Sequence, residues 1–519
     1  MPTDRVLRER HSLTKLQEAY EKGDKKPLED LMRAWKGIKE LPPTDPRSFF
    51  VIGGYHGEPF RGAGWGVGLN VFWGGYCHHG NVLFPVWHRI YLLVLEDALR
   101  SIRGCKDVTM PFWDECSDES LKHGIPWALT EETFELDGQT IPNPLRSFTF
   151  PRAITDNVAG DIPNYSKPEG YETVRYPYSG LVGTPADAEK TKQHNRKWPY
   201  RDAVRELNGN IVGWLGKSVV IKDKTVPTGV HQQFLDCLKA PNYTVFSNTS
   251  SAAQWADDTG SKVVPLESPH NHIHLAVGGY DVPTGPNAGD RSPIPGANGD
   301  MGENDTAGLD PIFYFHHAFI DRVFWLWQKK TGNTETLDVI EHYPGTNSVD
   351  GQGATPGVTP NSWLSMETPL EPFKRADGAY YTGSDAVDIE KLGYRYCAGS
   401  LEDHARATGE EEAADDGRKV HVLGINRNAI RGSFLITAYA NEDGERVPIG
   451  TEAVLSRWHV EGCANCQTHV QARASFHLHD ADEEGVHVEV DTRDGLLGGG
   501  ARSLGAAAEA RAPFRVEIR

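Results

Sequence analysis

Residues 76–104 read YCHHGNVLFPVWHRIYLLVLEDALRSIRG, and the fold of most of the chain turns on this stretch. From Pro85 to Gly104 the apolar residues recur at helical spacing, with proline at the start, where its missing N–H costs nothing, and glycine past the end. Tyr91, Leu92, Leu95 and Leu99 mark the buried face, and His88 lies on it. An imidazole on an apolar face is unfavourable unless something engages it. One such histidine reads as a hydrogen-bonded core residue, but His78 and His79 crowd in just upstream, and a cluster asks for another explanation.

The same pattern returns twice. In SPHNHIHLAVGG (268–279), His270 and His274 stand four apart and share one helix face, so their rings can converge on one metal ion; His272 points about 200° away. In DPIFYFHHAFIDRVFWLWQKKTG (310–332), His317 sits mid-helix among Phe313, Ile320, Phe324 and Trp327, while His316 is turned about 100° aside, a packed or supporting position. Imidazoles without thiolate or carboxylate partners suit copper, zinc, iron or nickel. There is no HExxH pattern, and Glu96 and Asp321 stand at spacings that would support the histidines from behind. Two similar clusters suggest two metal ions.

Outward from these motifs, 519 residues with 38% hydrophobic content allow two or more domains. A formal charge of -19 would repel nucleic acid. The most apolar run, IYLLVLEDAL (90–99), is broken by Glu96 and Asp97, so no membrane span is expected. The start, MPTDRVLRERHSLTKLQEAYEKGDKK, has neither the apolar core nor the cleavage site of a secretory signal, and a cytoplasmic location is the expectation. Seven cysteines, an odd number spread thinly, do not form a disulfide framework.

Residues 11–40 read as two short helices, and 105–262, rich in Pro, Gly, Asn and Thr, as loops with short helical pieces. Composition turns highly charged over 401–420, then becomes period-two in KVHVLGI, SFLITAYA and VHVEVDT. The expected fold is therefore a mainly α catalytic domain over 1–398, a helix bundle with long loops. A charged linker over 399–418 and a smaller C-terminal all-β domain over 419–519 follow.

Over their full length, HGNVLFPVWHRIYLLVLE (79–96) and DPIFYFHHAFID (310–321) resemble the two copper signatures of the type-3 copper proteins: tyrosinases, catechol oxidases and haemocyanins. The likeness runs over about 45–398 and ends at YRY (394–396). It implies a dicopper site, with one copper held by His56, His79 and His88 and the other by His270, His274 and His317, and O2 as co-substrate. His78 precedes the matching position and is not a ligand. The implied activity is tyrosinase-type: o-hydroxylation of small monophenols such as tyrosine, and oxidation of catechols to o-quinones. The alternatives are a catechol oxidase lacking the first step and a haemocyanin-like oxygen carrier; a mononuclear zinc hydrolase would leave three histidines unexplained. No nucleic acid or membrane partner is implied, and a homo-oligomer is left open.

Finer roles follow from the same likeness. Cys77 stands two before His79, the spacing of a thioether to the histidine ring in fungal-type members; otherwise it is a buried free thiol. Glu267 and Asn271 resemble the pair that orients a basic water; otherwise they are a helix-start pattern with Asn271 exposed. The C-terminal extension resembles a lid, with Val454, Leu455 and Trp458 as plugging candidates, since no phenylalanine stands there. Cys463 and Cys466, in CANC, resemble a copper-loading motif; a disulfide or a zinc half-site are the other readings.

Overall fold

The computed structural model describes residues 7–57, 75–154, 166–261, 263–283, 298–351, 357–406, 417–456, 471–501 and 514–519. Helices dominate the first four hundred residues: α1 (Leu13–Glu21), α2 (Lys26–Glu40), α3 (Phe49–Gly54), α4 (Phe84–Arg100), α5 (Asp118–His123), α6 (Pro185–Asn195) and α7 (Tyr200–Gly216). They continue as α8 (Val230–Cys237), α9 (Tyr243–Ser247), α10 (Thr249–Thr259), α11 (Glu267–Gly278), α12 (Ile312–Thr331), α13 (Ile389–Leu392) and α14 (Glu402–Arg406). The 105–262 region is thus more regular than its composition suggested. Short helices with Ser, Thr or Asn caps, as at Ser117, Thr184 and Asn242, carry too little apolar periodicity to read from sequence.

Among the described residues strand β1 (Arg8–Arg10) comes first, and three hairpins interrupt the helices: β2 (Thr133–Leu136) with β3 (Gln139–Pro142), β4 (Ser218–Ile221) with β5 (Lys224–Pro227), and β6 (Pro369–Lys374) with β7 (Tyr380–Thr382). Then β8 (Tyr394–Tyr396) pairs in parallel with β1.

The C-terminal region is all antiparallel: β9 (Lys419–Asn426), β10 (Phe434–Glu442), β11 (Glu445–Val454), β12 (Gln471–His477), β13 (His487–Thr492), β14 (Gly495–Ala501) and β15 (Arg515–Ile518). They form a four-stranded sheet ordered β11-β10-β13-β14 and a three-stranded sheet ordered β12-β9-β15. Both contribute to one core of Val420, Val422, Ile436, Ala438, Val488, Val490 and Phe476.

The boundary between the helical and β regions is crossed in both directions. Val219 and Ile221 of β4 belong to the β core, while Leu435, Ala453 and Leu455 belong to the helical one. Along β10 successive side chains point to opposite faces, so Leu435 faces the helices and Ile436 the strands. The stretch expected as a linker, 399–418, begins with structure: Leu401 is buried, α14 follows, and Glu402 pairs with Arg322 at 3.1 Å. Residues 407–416 lie outside the described residues.

A buried charge knot aligns α4 and α12, two of the helices that carry the clustered histidines. Arg10 donates to Glu96 of α4 at 3.1 Å and 3.3 Å, approaches Asp321 of α12 at 3.5 Å, and lies over the Tyr394 ring. Arg89, Tyr394 and Tyr396 all donate to Asp321, at 2.5, 2.6 and 2.6 Å. Glu96 and Asp321 therefore do not touch the histidines, as their spacing had suggested; they hold the helices through arginine. Asp310, before α12, accepts from Arg175 at 2.6 Å and from the Ile312 N–H at 3.1 Å. Among the described residues, no helix is long and apolar enough to cross a membrane.

Candidate metal centre

His270 and His274 lie one turn apart on α11, a helix buried along its whole length, and His317 faces them from α12. His317 Nε2 is 3.1 Å from His270 Nε2 and 3.3 Å from His274 Nε2. Three nitrogens each about 2.0 Å from one metal ion would stand at separations of this size. The other triad combines His88 of α4 with His56, just after α3, and His79, in the loop before α4. Their ring centroids are 5.2 to 5.6 Å apart. The triads adjoin, with the His88 and His317 rings stacked at 4.5 Å.

Second contacts fix which nitrogen faces inward in four of the six rings. His56 Nδ1 faces the Asn304 carbonyl at 3.0 Å, His88 Nδ1 the Phe84 carbonyl at 2.8 Å and His274 Nδ1 the Met301 carbonyl at 2.8 Å. His270 Nδ1 faces Asn271 Oδ1 at 2.9 Å. A carbonyl only accepts, so each Nδ1 carries the proton and each Nε2 a lone pair. Burial, reinforced by neighbouring imidazoles, holds His88, His270, His274 and His317 well below the ordinary histidine range and keeps them neutral. His88 Nε2 is buried and has no hydrogen-bond partner among the described residues. Converging neutral imidazoles with a buried, unpartnered lone pair fit a transition-metal ion.

The remaining sequence candidates fall as follows. His78 is buried but faces Asn81 at 3.3 Å. His272 points from the opposite side of α11 to the Thr451 carbonyl of β11 at 2.9 Å. Cys77 is in no disulfide, and its Sγ, with one nitrogen each of His56 and His79, forms a group within 4.8 Å. Glu267 accepts from the Gly80 N–H at 2.7 Å and from Thr249 N–H and Oγ1 at 2.9 and 3.0 Å, tying the His79 loop to α11. Asn271 is buried rather than exposed. Both line a cavity of about 500 Å³ whose lining also includes Val454, Leu455 and Arg427 of the C-terminal strand region. Trp458, Cys463 and Cys466 lie outside the described residues.

His316 comes closer than its helical angle implied, joining His270, His274 and His317 in a group whose ligand atoms lie within 4.8 Å of one another. Its Nδ1 meets Glu115 Oε1 at 2.6 Å. Burial lowers His316 to about 3 and raises Glu115 well above the carboxylate range. Glu115 and the carbonyl acceptors of Met301 and Asn304 were missed from sequence. Glu115 is 201 residues from His316, and a backbone acceptor leaves no residue-type signal.

The segment holding those carbonyls is braced by the β domain. Arg493 makes a buried ion pair with Glu303, Ser433 Oγ donates to the Gly302 carbonyl at 2.7 Å, and the Asn304 N–H reaches Ser456 O at 3.4 Å. Gly278, ending α11, has no room for a side chain, because a Cβ there would lie 1.9 Å from Gly302 N.

Two adjoining histidine triads, carried by α4, α11 and α12 and by the chain just after α3 and just before α4, define a class. The model of the common central domain of tyrosinase matches residues 46–330, more than half of the chain, and the chain belongs to the tyrosinase family. It is 51% identical over 495 residues to tyrosinase HcTyr2 of Hahella sp., spanning 91% of this chain and 88% of that protein. It is 44% identical to the tyrosinase of Aspergillus oryzae, spanning 88% of this chain and 87% of that one. The structure of the Burkholderia thailandensis tyrosinase at low pH superposes with a TM-score of 0.82 at 47% identity, covering 99% of this chain and 100% of that one.

Proposed function

We propose that this chain is a copper-dependent phenol oxidase of the tyrosinase type, hydroxylating monophenols and oxidising o-diphenols to o-quinones. The observation that carries this reading is the pair of adjoining imidazole triads with inward lone pairs, in a chain of this family. In this reading His56, His79 and His88 hold one copper, and His270, His274 and His317 the other. Copper, when bound, supplies the redox chemistry with O2.

The chain's own residues do the rest. The cavity admits a small phenol between α11 and the β domain. A phenol has a pKa near 10, so hydroxylation needs its proton removed. Glu267, raised by burial against hydrogen bonds from Thr249 and Gly80, and the Asn271 amide line the cavity floor and hold the water that takes that proton. In this reading Val454 and Leu455, which line the same cavity, act as a lid, with Arg427 Nη2 donating to the Leu455 carbonyl at 2.9 Å. In this reading Cys77, whose Sγ lies within 4.8 Å of a His79 ring nitrogen, forms a thioether to His79: one S–H and one ring C–H are lost, a C–S bond forms, and O2 takes up two electrons and two protons. The protein would then weigh about 2 Da less. Cys463 and Cys466 serve copper loading.

The test is the copper-loaded protein with a monophenol and its matching catechol. Quinone from both supports the reading; quinone from the catechol alone leaves a catechol oxidase, and from neither an oxygen carrier. Asn271→Ala should lower monophenol turnover far more than catechol turnover. Equal losses would show that Asn271 acts only by holding His270.

A further inference from the structure

The outer face of the two-stranded parallel sheet is used by nothing above. β1 and β8 pair Arg8 with Tyr394, Glu9 with Arg395 and Arg10 with Tyr396, and the Cys397 N–H extends the ladder to the Arg10 carbonyl at 3.0 Å. Alternation turns Arg10 and Tyr394 inward, into the charge knot, and leaves Glu9, His11, Arg395 and Cys397 on the opposite face. There His11 Nε2 lies 3.6 Å from Cys397 Sγ and 3.8 Å from Glu9 Oε2. One ligand atom of each residue falls within 4.8 Å of the other two. Glu9 Oε1 is held by Arg395, whose Nε donates at 3.1 Å, which fixes the carboxylate and leaves Oε2 turned to the histidine.

We propose that Glu9, His11 and Cys397 form a metal site separate from the histidine centre, taking one zinc-class divalent ion through a carboxylate, an imidazole and a thiolate, with water as fourth ligand. A mixed S, N, O set on three side chains suits a borderline cation such as zinc or cobalt, and the orienting arginine is the kind of outer contact that tunes such sites. All three residues are partly open to solvent, so an ion can enter without unfolding. Binding releases the Cys397 thiol proton to solvent as the metal–sulfur bond forms. Burial, with the Glu9 carboxylate nearby, lifts that thiol above its ordinary value, so occupancy should rise with pH. The ion would clasp the N-terminal strand to the strand that completes the charge knot.

The experiment adds cobalt to the full-length, copper-loaded protein and follows thiolate-to-cobalt absorption in the near ultraviolet. The expected result is a band saturating at one cobalt per chain with copper content unchanged. It should be retained when Cys463 and Cys466 are both replaced by serine, lost in Cys397→Ser, and shifted to about tenfold higher cobalt or more in His11→Ala. Zinc should raise the melting temperature of the parent protein and not that of Cys397→Ser. The proposal is overturned by no band at millimolar cobalt, by a band persisting in Cys397→Ser, or by cobalt uptake matched by copper loss.

Discussion

The triad of His270, His274 and His317 hangs entirely from helices, two ligands four apart on α11 and one on α12. The triad of His56, His79 and His88 takes only His88 from a helix. Its other two ligands come from chain that has no regular hydrogen bonding of its own. The first arrangement is rigid because the helical repeat sets the spacing of its rings. The second is rigid only because distant groups prop it: the Asn304 carbonyl behind His56, and Glu267 behind the Gly80 N–H. Histidines on helices carry their own geometry, whereas histidines on loops borrow it.

Removing a helix ligand should have the largest effect. His274→Ala or His88→Ala should abolish oxidation of monophenols and catechols, on the order of ten-thousandfold, about 5 kcal/mol in the barrier, with the fold retained. Copper analysis sharpens the comparison: each variant should keep the copper of the untouched triad, and loss of all copper from either would mean that the triads are one unit. Next comes Arg493→Ala, which leaves Glu303 buried without its cation beside the Met301 and Asn304 carbonyls. It should weaken β-domain docking by about 3 kcal/mol, seen as a lower melting temperature and, in preloaded enzyme, faster catechol turnover. Unchanged or slower turnover would remove the lid from the account.

Gly80→Ala probes the loop side alone. Gly80 has φ 69, and a Cβ there would lie 2.4 Å from Gly351 Cα. The left-handed backbone alone costs about 1–2 kcal/mol, so copper should be lost from the His79 triad first; equal loss from both would break the contrast. His78→Ala, one residue before a ligand, should leave copper content unchanged.

What was legible follows the same division. The spacing of His270 and His274, and His317 and His88 on apolar faces, could be read from periodicity, as could the helices that carry them. His56 and His79 were reachable only through likeness to a family, because nothing local distinguishes a loop histidine that binds from one, such as His78, that does not. Glu115 was invisible because its partner is remote. The interlock of the two cores also escaped, since β4 lies in a stretch that reads as loop and its Val219 and Ile221 fill a core made two hundred residues later.

The pairing of residues 8–10 with 394–396 also sets an order of events during synthesis. Glu9 and Arg395 are 386 residues apart, so at about 5–20 residues per second the first strand leaves the ribosome roughly 20 to 80 seconds before its partner exists. Until then Arg10 has neither Tyr394 to lie against nor Tyr396 to complete its place beside Asp321. The helices bearing His88 and His317 are therefore drawn into their final alignment by the earliest part of the chain, acting near the end of the catalytic region's synthesis.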